Sequence, residues 1–192
     1  MKMNFKQNNI KLAIAAGLVI GSTSFTLPAF AVSPKTDMDV TASIAVACSI
    51  DIEHINFGTY DALGANKAAP LRATGKITAT CTSGASGKIL INEGDNKVVG
   101  SGEAGSASSS AAAPLRQMKT GGTPSAGQTK YLGYTLHTTD NASSAQWNGT
   151  TGEPYVSAGA AIVKTVFGFI PQNQVTAMKG SYADQVEVSV TY

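Results

Sequence analysis

Apolar residues occupy every second position along residues 36–48, a stretch with the sequence TDMDVTASIAVAC. They are Met38, Val40, Ala42, Ile44, Val46 and Cys48. The positions between them are polar from Asp37 to Ser43, and the alternation weakens at Ala45 and Ala47. A period of two places alternate side chains on opposite faces of an extended chain. The stretch therefore predicts a β-strand with one apolar face that another part of the protein, or another molecule, must cover.

Residues 1–31 have the pattern of a cleaved secretory signal peptide. Three lysines lie in the first 11 residues, the apolar run LAIAAGLVI follows at 12–20, and Pro28 precedes small residues at Ala29 and Ala31. The apolar run is much shorter than the roughly 20 residues that a membrane span needs. We therefore predict cleavage after Ala31 and secretion of residues 32–192, with 32–46 forming an N-terminal arm and 47–192 a single domain.

Removal of the signal peptide changes the charge of the chain. The 192-residue sequence has 14 basic and 12 acidic residues, and the removed segment contains three of the lysines. The remaining 161 residues therefore have 11 basic and 12 acidic residues, and the net charge changes from +2 to −1. This balance gives no indication of a nucleic-acid partner.

The two cysteines, Cys48 and Cys81, would reach an oxidising compartment if the chain is secreted. A single intramolecular disulfide is then the expected state. It would close a loop of 33 residues and stabilise the fold by roughly 3–4 kcal/mol. Two buried free thiols are the alternative, and a metal site is disfavoured because no Cys/His cluster surrounds either residue.

Short alternating runs separated by Gly, Pro, Asn and Asp recur along the chain, and helical periodicity is almost absent. This pattern is typical of an all-β sandwich or barrel. The predicted strands are residues 49–52, 55–60, 75–81, 88–92, 115–118, 130–138, 161–170 and 185–192. We expect 161–170 to be central and the valines of 185–192 to line the core. The small-residue segment 100–113 and the polar segment 141–154, which contains Trp147, are predicted surface loops.

The sequence contains no nucleophile elbow, Walker loop or HExxH motif. The two histidines, His54 and His137, are far apart, and His137 alternates with Leu132, Tyr134 and Leu136, so it is predicted to face solvent. A hairpin turn explains the sequence EGDN at 93–96 more simply than a calcium site does. We therefore expect no enzyme activity, no cofactor or metal, and no small-molecule substrate.

Several short motifs follow one another in an order that resembles the spore coat protein U domain family, which includes subunits of archaic (Csu-type) chaperone–usher pili. The motifs are NFGTY at 56–60, ITATC at 77–81, GYTLHTTD at 133–140, FGFIP at 167–171 and GSYADQV at 180–186, with a terminal TY at 191–192. The Ser/Ala-rich insert at 101–113 departs from the family pattern.

The resemblance implies an incomplete immunoglobulin-like β-sandwich that lacks its last strand and is completed by donor-strand exchange. It implies a structural pilus subunit that a periplasmic chaperone and an outer-membrane usher bring to the cell surface, where the fibre supports adhesion and biofilm formation. The donor strand would present Met38, Val40, Ala42, Ile44 and Val46 to a neighbouring subunit. The acceptor groove, first used by the chaperone, would be lined by Val186, Val188, Val190 and Tyr192.

Two other interpretations of the sequence remain open. Residues 36–46 could be an ordinary first strand that pairs within its own sheet. The protein could also be a secreted, non-polymeric coat protein or a carbohydrate-binding module, with Trp147, Tyr155 and Tyr131 forming a sugar platform.

Overall fold

The computed structural model describes residues 33–99 and 108–192. The predicted signal peptide and most of the predicted loop at 100–113 lie outside the described residues. The chain divides into two compact units, Met1–Ala42 and Ser43–Tyr192. The described part of the first unit, residues 33–42, is exposed and forms no strand.

All the strands of the described residues lie in the second unit. They are β1 (Cys48–Glu53), β2 (Leu71–Cys81), β3 (Ser86–Ile91), β4 (Arg116–Lys119), β5 (Tyr131–His137), β6 (Glu153–Val156), β7 (Ile162–Ile170) and β8 (Val188–Thr191). One sheet has the order β1-β2-β7-β5-β4 and the other the order β6-β3-β8. Every pairing between these strands is antiparallel. Within the described ranges no helix is long and apolar enough to cross a membrane.

The two sheets share one hydrophobic core. Alternate residues of β2, namely Ile77, Ala79 and Cys81, are buried, and they pack in one cluster with Ile89 and Ile91 of β3. Such alternation is expected of a sheet that packs on a second sheet with one face. The all-β class is confirmed, and the two-sheet arrangement is consistent with an immunoglobulin-like sandwich. The apolar run at 161–170 is also central, since β7 is the middle strand of its sheet.

The structure differs from the predicted elements in several places, and residues 36–47, predicted as most of a β-strand, form no strand. Residues 55–60 are not a strand: Gly58 has a φ of 72°, and its amide donates to Oδ1 of Asn56 in a local turn. The last strand is shorter than predicted, because residues 185 and 187 bond to the turn at 92–95 before β8 begins. The four-residue strand β6 was missed, because its Pro154 lacks an amide donor and lowers the strand signal.

The prediction that His137 faces solvent is wrong. His137 does lie on the face of β5 opposite Leu136, but it is only 1% exposed. The connection after β5 covers it: Gln146 forms a bridge to His137, and the Ser144 hydroxyl lies 3.1 Å from Nδ1. The ring also packs edge-on against Phe169, with 5.4 Å between the ring centroids.

The proposed sugar platform is not supported by the positions of its aromatic residues. Trp147 is 2% exposed, and its indole Nε1–H donates to the carbonyl of Ile89 at 2.9 Å. Tyr155 is also buried, at the edge of the three-stranded sheet. Of the three aromatic residues only Tyr131 is partly exposed. A sugar needs an accessible aromatic face, so Trp147 and Tyr155 serve the core instead.

A buried arginine joins the two sheets. Arg116 of β4 donates to the carbonyls of Ile91, Asn92 and Trp147 at distances between 2.6 and 3.0 Å. Burial lowers its pKa to about 10, although Tyr134 and Asp184 nearby oppose the change. The guanidinium satisfies carbonyls that would otherwise be buried without donors at the end of β3, which makes it a structural residue.

Candidate functional site

A groove opens between the two sheets along one side of the Ser43–Tyr192 unit. Among the described strands, β1 pairs only with β2 and β8 pairs only with β3, so each has one edge free of a strand partner. Residues 50–57 line one side of the groove and residues 182–188 the other. Unpaired strand edges beside apolar side chains are unfavourable in water unless another chain covers them.

The groove consists of two cavities of about 650 and 760 Å³. The first exposes part of the core, and its apolar lining is Ile50, Ile52, Ile55, Phe57, Ile77, Ile91, Met118, Tyr134, Leu136, Val166, Tyr182, Val186 and Val188. The apolar lining of the second includes Ile55, Phe57, Leu63, Met118, Leu132, Ile170, Val175, Met178 and Tyr182. This composition suits an extended apolar segment.

Two glycines on the inner face of the larger sheet position one wall. A Cβ on Gly168 of β7 would lie 2.7 Å from the Phe57 ring, and one on Gly75 of β2 would lie 2.7 Å from Cγ1 of Ile55. Side chains at these positions would push Ile55 and Phe57 outward. The glycines therefore let both residues lie directly on the sheet, although their own segment is not a strand.

A hydrogen-bonded carboxylate positions the opposite wall. The Tyr134 hydroxyl donates to Oδ2 of Asp184 at 2.6 Å, and Asn96 donates to Oδ1 through its amide and side chain, both at 3.0 Å. Burial, together with the hydrogen bond to Asp184, raises the pKa of Tyr134. The phenol therefore stays protonated and keeps the segment before β8 beside β5.

The segment before β1 is extended and forms no strand. The exposed fractions of its large apolar side chains are 84% for Met38, 88% for Val40, 86% for Ile44 and 47% for Val46. Within the Ser43–Tyr192 unit, Cys48 and Cys81 form a disulfide, and Thr82 hydrogen-bonds to the backbone of Ala45 and Ala47. Large apolar side chains at this exposure are costly to leave in water.

Comparison with known proteins identifies the family. The Spore Coat Protein U domain matches residues 35–189. Protein U of Myxococcus xanthus is 33% identical to this chain over 193 residues, covering 96% of this chain and 99% of Protein U. The chain belongs to the Spore Coat Protein U domain family. The resemblance inferred from the motifs is thereby confirmed, and so is the expectation of a structural protein rather than an enzyme.

A solved structure similar to this spore coat protein U domain is a pre-assembly complex from the archaic chaperone–usher Csu pili of Acinetobacter baumannii. It contains the chaperone CsuC and the tip adhesion subunit CsuE. The matched chain is 19% identical with a TM-score of 0.43, and the match covers 78% of this chain. The present chain spans only 40% of that chain.

The structure places the predicted acceptor residues of this spore coat protein U domain in different surroundings. Val186 and Val188 line the groove. Val190 pairs with Ile89 and packs against the core, outside the lining of either cavity. Tyr192 is 66% exposed. The groove thus includes two of the four predicted residues.

Sequence reasoning missed the other wall and the floor of the groove. Ile50 and Ile52 continue the alternation that begins at Met38, and this signal could have identified them. The roles of Gly75 and Gly168 depend on contacts between segments distant in sequence, and nothing local in the sequence indicates them. In the part of the chain that the structure describes, no group of three or more His, Cys, Asp or Glu residues could hold a metal ion.

Proposed function

We propose that this protein is a structural subunit of a chaperone–usher surface pilus. Each subunit inserts its N-terminal arm, residues 32–46, into the groove of a neighbouring subunit. The observation that carries the proposal is the presence, in one chain, of an unpaired segment with alternating exposed apolar side chains and an apolar groove bordered by unpaired strand edges. Membership of a coat-protein family supports a structural role.

The two surfaces are complementary in chemistry and periodicity. Alternate residues of a strand lie on one face about 6.6 Å apart, so the five apolar positions of the arm can point together into the groove. Burial of Met38, Val40, Ile44 and Val46 would stabilise the complex by on the order of 6–12 kcal/mol before ordering costs. Asp37, Asp39, Thr41 and Ser43 would remain on the opposite face.

The same surfaces explain why the subunit needs assembly partners. A free groove would expose core side chains and strand edges, which promotes aggregation. A periplasmic chaperone would cover the groove by adding a strand, and the arm of the next subunit would replace that strand at an outer-membrane usher. Chaperone–pilin complementation is an established example of such β-strand addition. The resulting fibre would support adhesion and biofilm formation at the cell surface.

The arm can be tested with a matched pair of substitutions. Ile44→Asp places a charge on the apolar face, whereas Ser43→Asp places the same charge on the neighbouring polar position. We expect Ile44→Asp to abolish SDS-resistant ladders of the protein in unheated surface extracts and to remove pili seen by electron microscopy. Ser43→Asp should retain both.

Deletion of residues 36–46 should have the same effect as Ile44→Asp while leaving secretion and the disulfide intact. Normal ladders from the deletion variant would contradict the proposal. Wild-type protein that remains a secreted monomer in cells with the chaperone and usher would instead favour a non-polymeric coat protein.

A further inference from the structure

Four strands lie at the edges of the two sheets, and they differ in how their outer edges are covered. β1 and β8 border the groove and have no strand partner on that side among the described residues. β4 and β6 are the other two edge strands. An uncovered edge presents amides and carbonyls that can pair with another copy of the same chain. The edges outside the groove therefore decide whether the protein associates sideways.

The edge of β4 is covered by other segments of its own chain. The amide of Lys119 donates to the carbonyl of Ala183 at 2.9 Å, and the amide of Ala183 donates back to the carbonyl of Lys119 at 3.1 Å. Just before the strand begins, the carbonyl of Leu115 accepts from the amide of Val98 at 2.9 Å. β5 pairs with the other side of β4, so few backbone groups of this strand remain for a second copy.

The outer edge of β6 has no such cover among the described residues, and the strand contains Pro154. The amide of Ser157 donates to the carbonyl of Ala85 at 2.8 Å and so points toward β3. Because successive amides of a strand point in opposite directions, the amide of Tyr155 also points toward β3, and residues 154 and 156 face the open edge. Proline has no amide hydrogen, so one of the two donors on this edge is missing.

A partly buried ion pair lies at the same edge. Glu153 is on the same face of β6 as the buried Tyr155, and Lys164 lies opposite the buried Ile77 in the β2–β7 register. Both side chains therefore point between the sheets, where Nζ of Lys164 is 3.5 Å from Oε2 of Glu153. A strand added beside β6 would place one of its inward side chains next to this ion pair. Inward-pointing charges of this kind oppose the addition of an apolar strand.

Val156 is the residue that would favour pairing at this edge. Its side chain is 78% exposed and β-branched, and its amide faces the open side. Exposed β-branched residues on an edge strand promote association with another strand. A two-fold axis can place β6 of one copy antiparallel to β6 of another, so the edge is complementary to itself. The partner that this edge would accept is therefore a second copy of this chain.

We propose that Pro154, together with the ion pair between Glu153 and Lys164, blocks side-by-side pairing of two copies through β6. This block belongs to the folded domain and does not depend on the arm. Its consequence for a fibre rests on the proposed function: strand addition is confined to the groove, and fibres do not join laterally through the β6 edge of each subunit.

The test restores the missing amide donor. Pro154→Val is made in the secreted chain that also carries Ile44→Asp, which is expected to prevent joining through the arm. Sedimentation velocity should show about a tenfold rise in the dimer fraction, because a symmetric pair of β6 strands regains two donors. Pro171→Val is the matched control: it makes the same substitution at an exposed proline directly after the central strand β7, and the dimer fraction should stay at the parent value.

Two further variants locate the contact. Val156→Lys, added to Pro154→Val, should restore the monomer, because like charges would face each other across the symmetric edge. Pro154→Thr restores the same donor and should dimerise as well, which keeps the test decisive if near-ultraviolet circular dichroism shows that Pro154→Val does not fold. No dimer in either Pro154 variant, an equal dimer fraction in Pro171→Val, or dimers that persist with Val156→Lys would overturn the block.

The consequence for the fibre has a separate measurement. In the chain without Ile44→Asp, electron microscopy should show separate fibres for the wild type and laterally bundled fibres for Pro154→Val. Separate fibres in both would overturn the role of β6 in the fibre. Absence of fibres and of SDS-resistant ladders from the wild type would overturn the proposed function, whereas the dimer measurements would still decide the block at β6.

Discussion

Hydroxyl groups satisfy both ring nitrogens of the buried His137. The Ser144 hydroxyl donates to the carbonyl of Asn141 at 2.7 Å, so its oxygen accepts from Nδ1–H. Nε2 accepts from the Thr135 hydroxyl at 2.9 Å. Burial lowers the pKa of His137 from 6.5 and the positive charge of Arg116 acts in the same direction, although hydrogen bonding to the backbone at Ala145 and Ser144 opposes the change. The folded protein therefore favours the neutral imidazole.

This preference predicts a loss of stability in acid. Below pH 6.5 the unfolded chain binds a proton at His137 more readily than the folded chain does, so the free energy of unfolding falls as the pH falls. Urea titrations between pH 7.5 and pH 5 should show that the free energy of unfolding depends less steeply on pH for His137→Gln than for the wild type. His54→Gln removes the exposed histidine and is the control. An equal pH dependence of the free energy of unfolding in the wild type and in His137→Gln would contradict the preference of the folded protein for a neutral His137.

The position of His137 shows what a local pattern can and cannot predict. Alternation along β5 correctly placed it opposite Leu136. Its burial depends on the connection at 138–146, which folds over that face; an exposed ion pair between Arg72 and Asp140, at 2.9 Å, joins this connection to β2. The two partners of this ion pair are 68 residues apart in sequence. Alternation within one strand carries no information about such a cover.

At the level of the strands, the inner face of β7 controls one wall of the groove. Gly168→Ala would place a Cβ 2.7 Å from the Phe57 ring, so either the ring or the strand must move. We expect a loss of about 1–3 kcal/mol in the free energy of unfolding, from the usual cost of overpacking. Gly121→Ala is the control, because no atom lies within 4 Å of its Cβ position. Chemical denaturation measures the free energy of unfolding of both variants. Equal values for Gly168→Ala and Gly121→Ala would show that the sheet does not constrain Phe57.

Strong local signals gave correct strands at β7 and β2, but not at residues 36–47, which form no strand, or over the whole of 185–192, where β8 is limited to Val188–Thr191. The apolar run of β7 and the alternation in β2 both arise from packing against the core and are local patterns, and β7 is buried on both faces only towards its end, at Phe169 and Ile170. Residues 55–60 alternate in the same way, yet Ile55 and Phe57 pack onto the sheet without strand partners. The alternation at residues 55–60 therefore predicted which side chains face the core, but it did not show that this backbone lacks the hydrogen bonds of a strand.

For the whole molecule, the disulfide connects the first strand to the core. Cys48 lies directly opposite Cys81 in the β1–β2 register, and their sequence separation is 33. Replacing both cysteines by serine should reduce the free energy of unfolding by roughly 3–4 kcal/mol, chiefly by freeing the unfolded chain. Urea unfolding of the variant and of the reduced wild type should give similar midpoints. A change below about 1 kcal/mol would contradict this role of the disulfide.

The two halves of the candidate site differed in how far the sequence could predict them. The arm is a continuous segment, so its alternation is visible in the sequence alone. The groove is assembled from segments that are distant in sequence, and of its lining residues only Val186 and Val188 were predicted to belong to it. The four side chains that line both cavities, Ile55, Phe57, Met118 and Tyr182, are brought together only by the three-dimensional packing.

The single tryptophan gives this molecule an internal optical probe. Trp147 is 2% exposed, its indole is hydrogen-bonded to Ile89, and it lines neither cavity of the groove. The wavelength of its emission maximum should therefore shift when the sandwich unfolds and remain nearly constant when a segment enters the groove. Fluorescence can thus follow folding separately from assembly in samples where both occur.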